Sequence, residues 1–208
     1  TCWTVRTWRA WLGRSKHLVF GLPGVSVLSV MLDYMHLKYL GSDQQMFGSV
    51  FVLLVYDVLP GTPQANLDEC WEFIKAFYKK NKTAYQYQYL NKLTMFVRKS
   101  GYTKLRGKAG EIKDLGPALL ALWTAKMDET NNIHVVIRIM LKCNVQMEEI
   151  LSEHKHENRL PPEAANRFKA AAFSMGQCTA AAANHYLLHE YKIFGITAKL
   201  HMILHCAL

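Results

Sequence analysis

An aspartate and a histidine, three residues apart, follow an apolar run near the start of the chain. Residues 25–32 read Val-Ser-Val-Leu-Ser-Val-Met-Leu, and Asp33 and His36 come after them. A β-branched apolar run of this length predicts a buried strand, which would hold the Asp33 carboxylate at the edge of the core. Carboxylates so placed bind catalytic metal ions in enzymes that cut nucleic acids. The alternative is that Asp33 is a helix N-cap whose carboxylate accepts backbone N–H bonds.

A basic segment over residues 73–110 is the second feature that could do chemistry. It holds ten lysines and arginines, eight aromatic residues and no acidic residue. Cations neutralise phosphates and exposed tyrosines stack on bases, so we predict contact with nucleic acid. The alternative is a solvated helix face whose aromatic residues belong to the core. Three glycines, Gly101, Gly107 and Gly110, would let the loop approach a phosphate backbone closely. The predicted contacts are Lys79, Lys80, Lys82, Arg98, Lys99, Lys104, Arg106 and Lys108.

Histidines and cysteines give weaker signals. His185/His189 and His201/His205 are spaced i, i+4, which places each pair on one helix face, as metal ligands can be. No glutamate accompanies them in a His-Glu-x-x-His arrangement, so we interpret them as ordinary surface or core histidines. The five cysteines are scattered and never spaced Cys-x-x-Cys. This favours reduced thiols in an intracellular protein and argues against a cysteine zinc site.

Most of the chain is predicted to be helical and to fold as a globular protein. Of the 208 residues, 50% are hydrophobic and 20% charged, which is typical of one globular domain or one domain with a large insertion. The longest apolar stretch, residues 46–56, is far shorter than the roughly 20 residues of a membrane helix. We also see no signal peptide, and both chain ends look internal to a longer polypeptide.

Apolar periodicity and cap residues predict the helices. One follows His36 and ends near Pro60-Gly61, and the next starts at Thr62-Pro63, a good N-cap with proline behind it, and ends near Lys82. A short helix or strand-like stretch is predicted around residues 85–97. Further helices are predicted at 117–127, 131–145, 146–157, 162–190 and 197–208. Their apolar faces form a bundle core or, alternatively, a dimerisation surface. The predicted class is mainly α with one short β element.

Two stretches resemble a known family. Residues 32–41, Leu-Asp-Tyr-Met-His-Leu-Lys-Tyr-Leu-Gly, are similar to the Asp-x-Met-His…Leu-Gly signature of eukaryotic cut-and-paste transposases of the CACTA and related superfamilies. Residues 196–205, Ile-Thr-Ala-Lys-Leu-His-Met-Ile-Leu-His, resemble the Thr-x-Lys-x-His-x-x-x-His stretch of such proteins. Leu22-Pro-Gly before the predicted strand also resembles transposase-derived reading frames.

The resemblance implies a role for each motif residue. Asp33 would be the second carboxylate of an RNase H-like DDE/D triad and a Mg²⁺ ligand, with His36 an auxiliary group near the scissile phosphate. The first and third carboxylates would lie outside residues 1–208. His201 and His205 would be packing residues near the catalytic core. The complete ancestor would cleave DNA and transfer strands with Mg²⁺, whereas this chain alone would be inactive and need no cofactor.

The same resemblance implies a division of the chain. Residues 1–60 would be a partial RNase H-like segment, residues 61–195 a helical bundle-like insertion that includes the basic segment, and residues 196–208 the truncated start of a C-terminal core helix. The expected partners are DNA, the rest of a longer chain and a second copy, with no membrane, in an intracellular and nuclear setting. The alternative function is a non-catalytic helical module that binds nucleic acid or protein.

Overall fold

The computed structural model describes residues 33–97 and 101–207, and within these ranges the fold is helical. Over these residues six helices follow one another with no strand between them, which confirms the mainly α class. The predicted strand at 25–32 lies outside the described residues, and the RNase H-like core stays a prediction. The helices are α1 (residues 34–58), α2 (Pro63–Asn81), α3 (Ala109–Lys126), α4 (Asn132–Glu153), α5 (Pro162–Leu188) and α6 (Ala198–Cys206).

All six helices belong to one compact unit. The chain divides into Thr1–Asp33 and Tyr34–Leu208. Within the second unit α4 and α5 form the most extensive helix pair, α3 packs on α4, and α6 packs on α5. The predicted boundaries after residues 60 and 195 rest on the resemblance to transposases and stay predictions.

Helix α1 lies at the centre of this unit. Every residue from 46 to 55 is buried, as expected for a helix that is apolar all round. Helix α2 packs on its end, α3 along its length and α6 on its start. Two stretches of α1 are π-helical, Lys38–Asp43 and Leu54–Val58, and such wide turns are frequent at functional sites.

A buried asparagine in the first turns of α2 binds the turn that connects α1 to α2. Asn66 donates through Nδ2 to the carbonyl oxygens of Val55 at 2.8 Å and of Leu59 and Gly61 at 3.0 Å. Its Oδ1 accepts a hydrogen bond from the Gly61 N–H at 2.9 Å. The predicted start of α2 is confirmed, because the Thr62 side chain accepts a hydrogen bond from Ala65 N and proline follows it. These bonds hold the turn that redirects the chain.

Several predicted helix bounds differ from the observed ones. Helix α3 begins at Ala109 rather than at 117, because Lys108 and Glu111 form the cap and Pro117 lies within the helix. The predicted helices 131–145 and 146–157 are one helix, Asn132–Glu153. Around residues 85–97 there is only the 3₁₀ turn Leu93–Met95. Over residues 33–97 and 101–207, no helix combines the length and apolar character that a membrane span requires.

Candidate functional site

The two stretches that resemble transposases lie side by side. Lys199, in α6, donates through Nζ to the backbone carbonyl oxygens of His36 at 3.0 Å and Leu40 at 3.4 Å. Gly41 makes room for this side chain, since a Cβ atom there would lie 2.6 Å from Lys199 Cδ. His36, Leu40 and Gly41 of the first stretch therefore contact Lys199 of the second, which joins α1 to α6.

Asp33 and His36 are both exposed. Asp33 directly precedes Tyr34, the first helical residue, which is the position that the N-cap alternative requires. Its role as a metal ligand at a strand end stays a prediction, because residues 25–32 are not described. In the described ranges, no three or more histidine, cysteine, aspartate or glutamate side chains form a group that could hold a metal ion.

The histidines of α6 face outward. His201 and His205 are exposed and their Nε2 atoms lie 2.9 Å apart, whereas Leu200 and Ile203 are the residues that α6 buries. Their exposure agrees with the interpretation as surface histidines and not with the packing role that the resemblance implies, because helical periodicity turns them away from the face that meets the core. In the other pair, His185 and His189, the ring centroids are 5.0 Å apart.

The cysteines of the described ranges are free thiols. Cys70 and Cys143 are buried, while Cys206 is exposed. Burial raises the pKa of the Cys70 thiol to about 12, so this thiol stays protonated and unreactive. These observations fit structural cysteines better than reactive ones.

A buried charged network ties α1 to α4, and sequence reasoning missed it. Lys38 is fully buried, and its Nζ lies 2.7 Å from Asp43 Oδ2 and 3.0 Å from Glu148 Oε1. Asn144 donates through Nδ2 to Asp43 Oδ1 at 2.7 Å. Lys38 and Asp43 are five residues apart, and the i→i+5 geometry of a π-helical turn brings them together. A sequence signal for the network is the lysine itself, which interrupts an apolar helix.

Two tyrosines complete this network. Tyr39 donates to Glu148 Oε2 at 2.6 Å and Tyr34 donates to Glu148 Oε1 at 3.1 Å. Both Glu148 oxygens are thereby engaged, and the burial of Tyr34 and Tyr39 beside this carboxylate raises the pKa of each phenol well above its ordinary value. The phenols stay protonated as hydrogen-bond donors.

One cation and two carboxylates share this site. Burial raises the pKa of Asp43 to about 6, against the lowering effect of the neighbouring Lys38 ammonium. Burial lowers the pKa of Lys38, but the carboxylates of Asp43 and Glu148 outweigh it and raise that pKa above its ordinary value. Lys38 therefore stays charged, and its two acceptors compensate for the loss of its hydration.

A cleft next to Tyr39 is lined in large part by residues of the basic segment. Its volume is about 1160 Å³. Residues 84–89 and 106–111 supply most of its lining, and we call it the tyrosine cleft. The remaining lining residues are Met35, Tyr39, Lys92, Thr94 and Met95.

Three tyrosines alternate along one side of the tyrosine cleft. Tyr87 is buried and donates through its hydroxyl to the Arg106 carbonyl oxygen at 2.9 Å. Tyr85 and Tyr89 on either side of it are 64% and 59% exposed. The alternation anchors the segment through its middle ring and leaves the outer two rings in solvent.

Two glycines make room for these rings. A Cβ atom at Gly107 would collide with the Tyr87 hydroxyl, and one at Gly110 would lie 3.0 Å from Tyr85 Cγ. At these two positions the chain therefore approaches tyrosine side chains of the protein itself, whereas the predicted close approach was to a phosphate backbone. At Gly101, where φ is +80°, a Cβ atom would meet nothing within 4 Å.

Three cations line the tyrosine cleft. Lys92, Arg106 and Lys108 are all exposed there. Glu111 is the acidic residue of the lining, and its Oε2 accepts a hydrogen bond from Lys108 N at 2.8 Å. Lys92 is absent from the set of predicted contacts. Its position beside Tyr89 in the acid-free segment could have indicated it as a contact.

The other predicted contacts are spread more widely. Lys79, Lys80 and Lys82 are exposed at the C-terminal end of α2. Lys104 is half-buried, and Arg98 and Lys99 lie outside the described residues. The structure thus places Arg106 and Lys108 in the cleft and the three α2 lysines outside its lining.

Comparison of the chain with protein-family models, with curated protein sequences and with solved structures found no match.

Proposed function

We propose that this chain binds nucleic acid through the tyrosine cleft, as the DNA-contacting part of a transposase-like protein. One observation carries the proposal: exposed tyrosine rings and three cations line the same concave surface. Lysine and arginine supply the salt-dependent attraction for phosphates, and aromatic rings supply a surface on which bases stack.

The alternative for the basic segment, a solvated helix face over core aromatics, accounts for only part of it. Tyr78, Tyr87 and Phe96 are buried and follow that description. Tyr85 and Tyr89 do not, since neither lies in a helix and both are exposed beside cations. More than half of each ring is accessible, as contact with a nucleic acid requires.

Binding to a fluorescent DNA oligonucleotide, followed by anisotropy between 50 and 200 mM salt, tests the proposal. The triple variant Lys92→Gln, Arg106→Gln, Lys108→Gln should lower affinity about tenfold or more and flatten the salt dependence, because three phosphate contacts are lost. A matched control removes three exposed lysines away from the cleft, Lys142, Lys155 and Lys169. Equal losses in the two triple variants, or affinity that salt does not change, would contradict the proposal.

A second function is supported by the contact between the two transposase-like stretches. We propose that residues 32–41 and 196–205 derive from a DNA-cleaving site in which Asp33 is a Mg²⁺ ligand and His36 an auxiliary group. Supporting this, Lys199 joins stretches that are 163 residues apart in sequence.

The test is Mg²⁺-dependent DNA cleavage by the longest reading frame that contains this chain. Asp33→Asn should abolish cleavage and His36→Ala should weaken it, while the exposed control Asp68→Asn should leave it unchanged. Cleavage by Asp33→Asn at the unmodified rate would contradict the role of Asp33. DNA binding without cleavage in any variant would favour the non-catalytic binding module.

A further inference from the structure

We propose that the tyrosine cleft selects unpaired nucleotides, with Tyr85 and Tyr89 stacking on bases while the neighbouring cations contact the phosphates. The inference rests on the proposed nucleic-acid binding and names its substrate class. It predicts that the cleft discriminates between single strands and duplexes, which binding through charge alone does not.

The backbone segment that carries Tyr85 and Tyr89 is anchored to the rest of the fold. Tyr85 N donates to Asp114 Oδ2 at 2.9 Å, and its ring root lies against Gly110. Tyr87, which lies between them in sequence, donates a hydrogen bond through its hydroxyl to the Arg106 carbonyl oxygen. A segment anchored at these points loses little conformational entropy on binding, which favours affinity.

Only unpaired nucleic acid offers a base face to these rings. In a duplex the faces of each base are covered by its stacked neighbours, so a protein ring reaches only the base edges. An unpaired base leaves its face accessible, and stacking of such bases on aromatic side chains tolerates any sequence. Exposed tyrosines are therefore useful for unpaired bases and contribute little to the binding of an intact helix.

Polar groups surround the two rings. Gln88 is exposed and lines the same cleft, where its amide can donate to and accept from base edges, and Gln86 lines it too while donating to the Thr83 carbonyl oxygen at 2.7 Å. Lys92, Arg106 and Lys108 supply positive charge for the backbone. The cleft thus contains a partner for each part of a nucleotide strand.

The cleft is an open surface depression with a volume of about 1160 Å³. It can admit a short run of nucleotides, with one base against each exposed ring.

Three probes of equal length test the inference by fluorescence anisotropy: a single-stranded oligonucleotide, its duplex, and a single strand with abasic sites in place of its bases. The unmodified protein should bind the single strand at least about fivefold more tightly than the other two probes. Tyr85→Ala and Tyr89→Ala should each weaken single-strand binding about fivefold or more. Neither substitution should change abasic-strand affinity, because that probe has no bases to stack.

Two further sets of variants separate stacking from structure. Tyr85→Phe and Tyr89→Phe keep the ring and should retain single-strand affinity. Tyr56→Ala removes a tyrosine that is 42% exposed but lies outside the cleft lining, and it should change no affinity. Far-ultraviolet circular dichroism and thermal melting check that each alanine variant folds, which we expect because both rings are exposed.

Several outcomes would overturn the inference. Duplex affinity equal to single-strand affinity would do so, as would alanine variants that weaken all three probes alike or none of them. If the Lys92, Arg106 and Lys108 triple variant still lowers binding in that case, nucleic-acid binding stands and only the selection of unpaired bases fails. If the unmodified protein binds none of the probes, both proposals fail.

Discussion

Lys199 donates a hydrogen bond through Nζ to the backbone carbonyl oxygen of His36 at 3.0 Å, and its methylenes cross the surface of Gly41. This contact joins α6 to the first turns of α1. It explains why a glycine stands at position 41, where any larger residue would meet the lysine side chain.

Removing either side of this contact should destabilise the fold. Lys199→Met keeps most of the methylenes but loses the donor, so the free energy of unfolding should fall by about 1 kcal/mol in urea titrations. Gly41→Ala should also destabilise, since its Cβ would lie 2.6 Å from Lys199 Cδ and 3.0 Å from the His36 carbonyl oxygen. The Gly41→Ala cost should shrink in a Lys199→Ala background, and strictly additive effects would contradict the contact.

The buried cation should matter far more than surface ones. Lys38→Met leaves Asp43 and Glu148 without their cation, which should cost about 3–5 kcal/mol of unfolding free energy. Adding Asp43→Asn to this variant should recover part of the loss, because it removes an uncompensated charge. Lys75→Met breaks an exposed pair with Glu72 and should cost less than about 1 kcal/mol. Similar losses for Lys38→Met and Lys75→Met in chemical denaturation would disprove the role of the network.

Asp43 should make stability depend on pH in mildly acidic solution. Its pKa is raised to about 6 in the folded protein from 3.8, so the folded state binds the proton more tightly than the unfolded state does. The stability that protonated Asp43 contributes to the folded protein is therefore fully present below pH 3.8 and is lost as pH rises through about 6.

The matched variant for this pH dependence is Asp43→Asn, which does not titrate. Urea midpoints measured from pH 4 to 7 should show the unmodified protein losing stability relative to Asp43→Asn as pH rises. Lys38 stays charged throughout this range, so the loss that only the unmodified protein shows reports the ionisation of Asp43. Parallel curves would show that Asp43 does not titrate in this window.

Asn66 should be among the residues least tolerant of substitution. Asn66→Ala leaves the carbonyl oxygens of Val55, Leu59 and Gly61 without their donor, and unsatisfied buried groups cost about 1–3 kcal/mol each. We expect a loss of at least about 2 kcal/mol by urea denaturation. Asn81→Ala removes one exposed bond to the Phe77 carbonyl and should cost less than about 1 kcal/mol. Equal effects of the two substitutions would contradict the assignment.

Local signals predicted much of the helical fold. Thr62 and Pro63 predict the start of α2 because a helix cap is formed by residues that are neighbours in sequence. The predicted end near Lys82 is confirmed by its left-handed C-cap. Where two local signals competed, the prediction was wrong: Gly116-Pro117 resembled a helix start, yet the cap at Lys108 and Glu111 begins α3 earlier. Proline is tolerated within this helix because the packing of α3 on α1 and α4 stabilises it.

Composition, apolar periodicity and cap residues were enough to establish the helical class, the start of α2 and an acid-free segment in which tyrosines alternate. Folding decides that Tyr87 is buried while Tyr85 and Tyr89 are exposed, because that depends on Arg106 and Gly107 lying opposite Tyr87. It also decides that Lys38 is paired with Glu148, a residue of another helix. Caps and periodicity act between neighbours in sequence, whereas clefts and buried charges depend on contacts between distant segments, which local patterns do not encode.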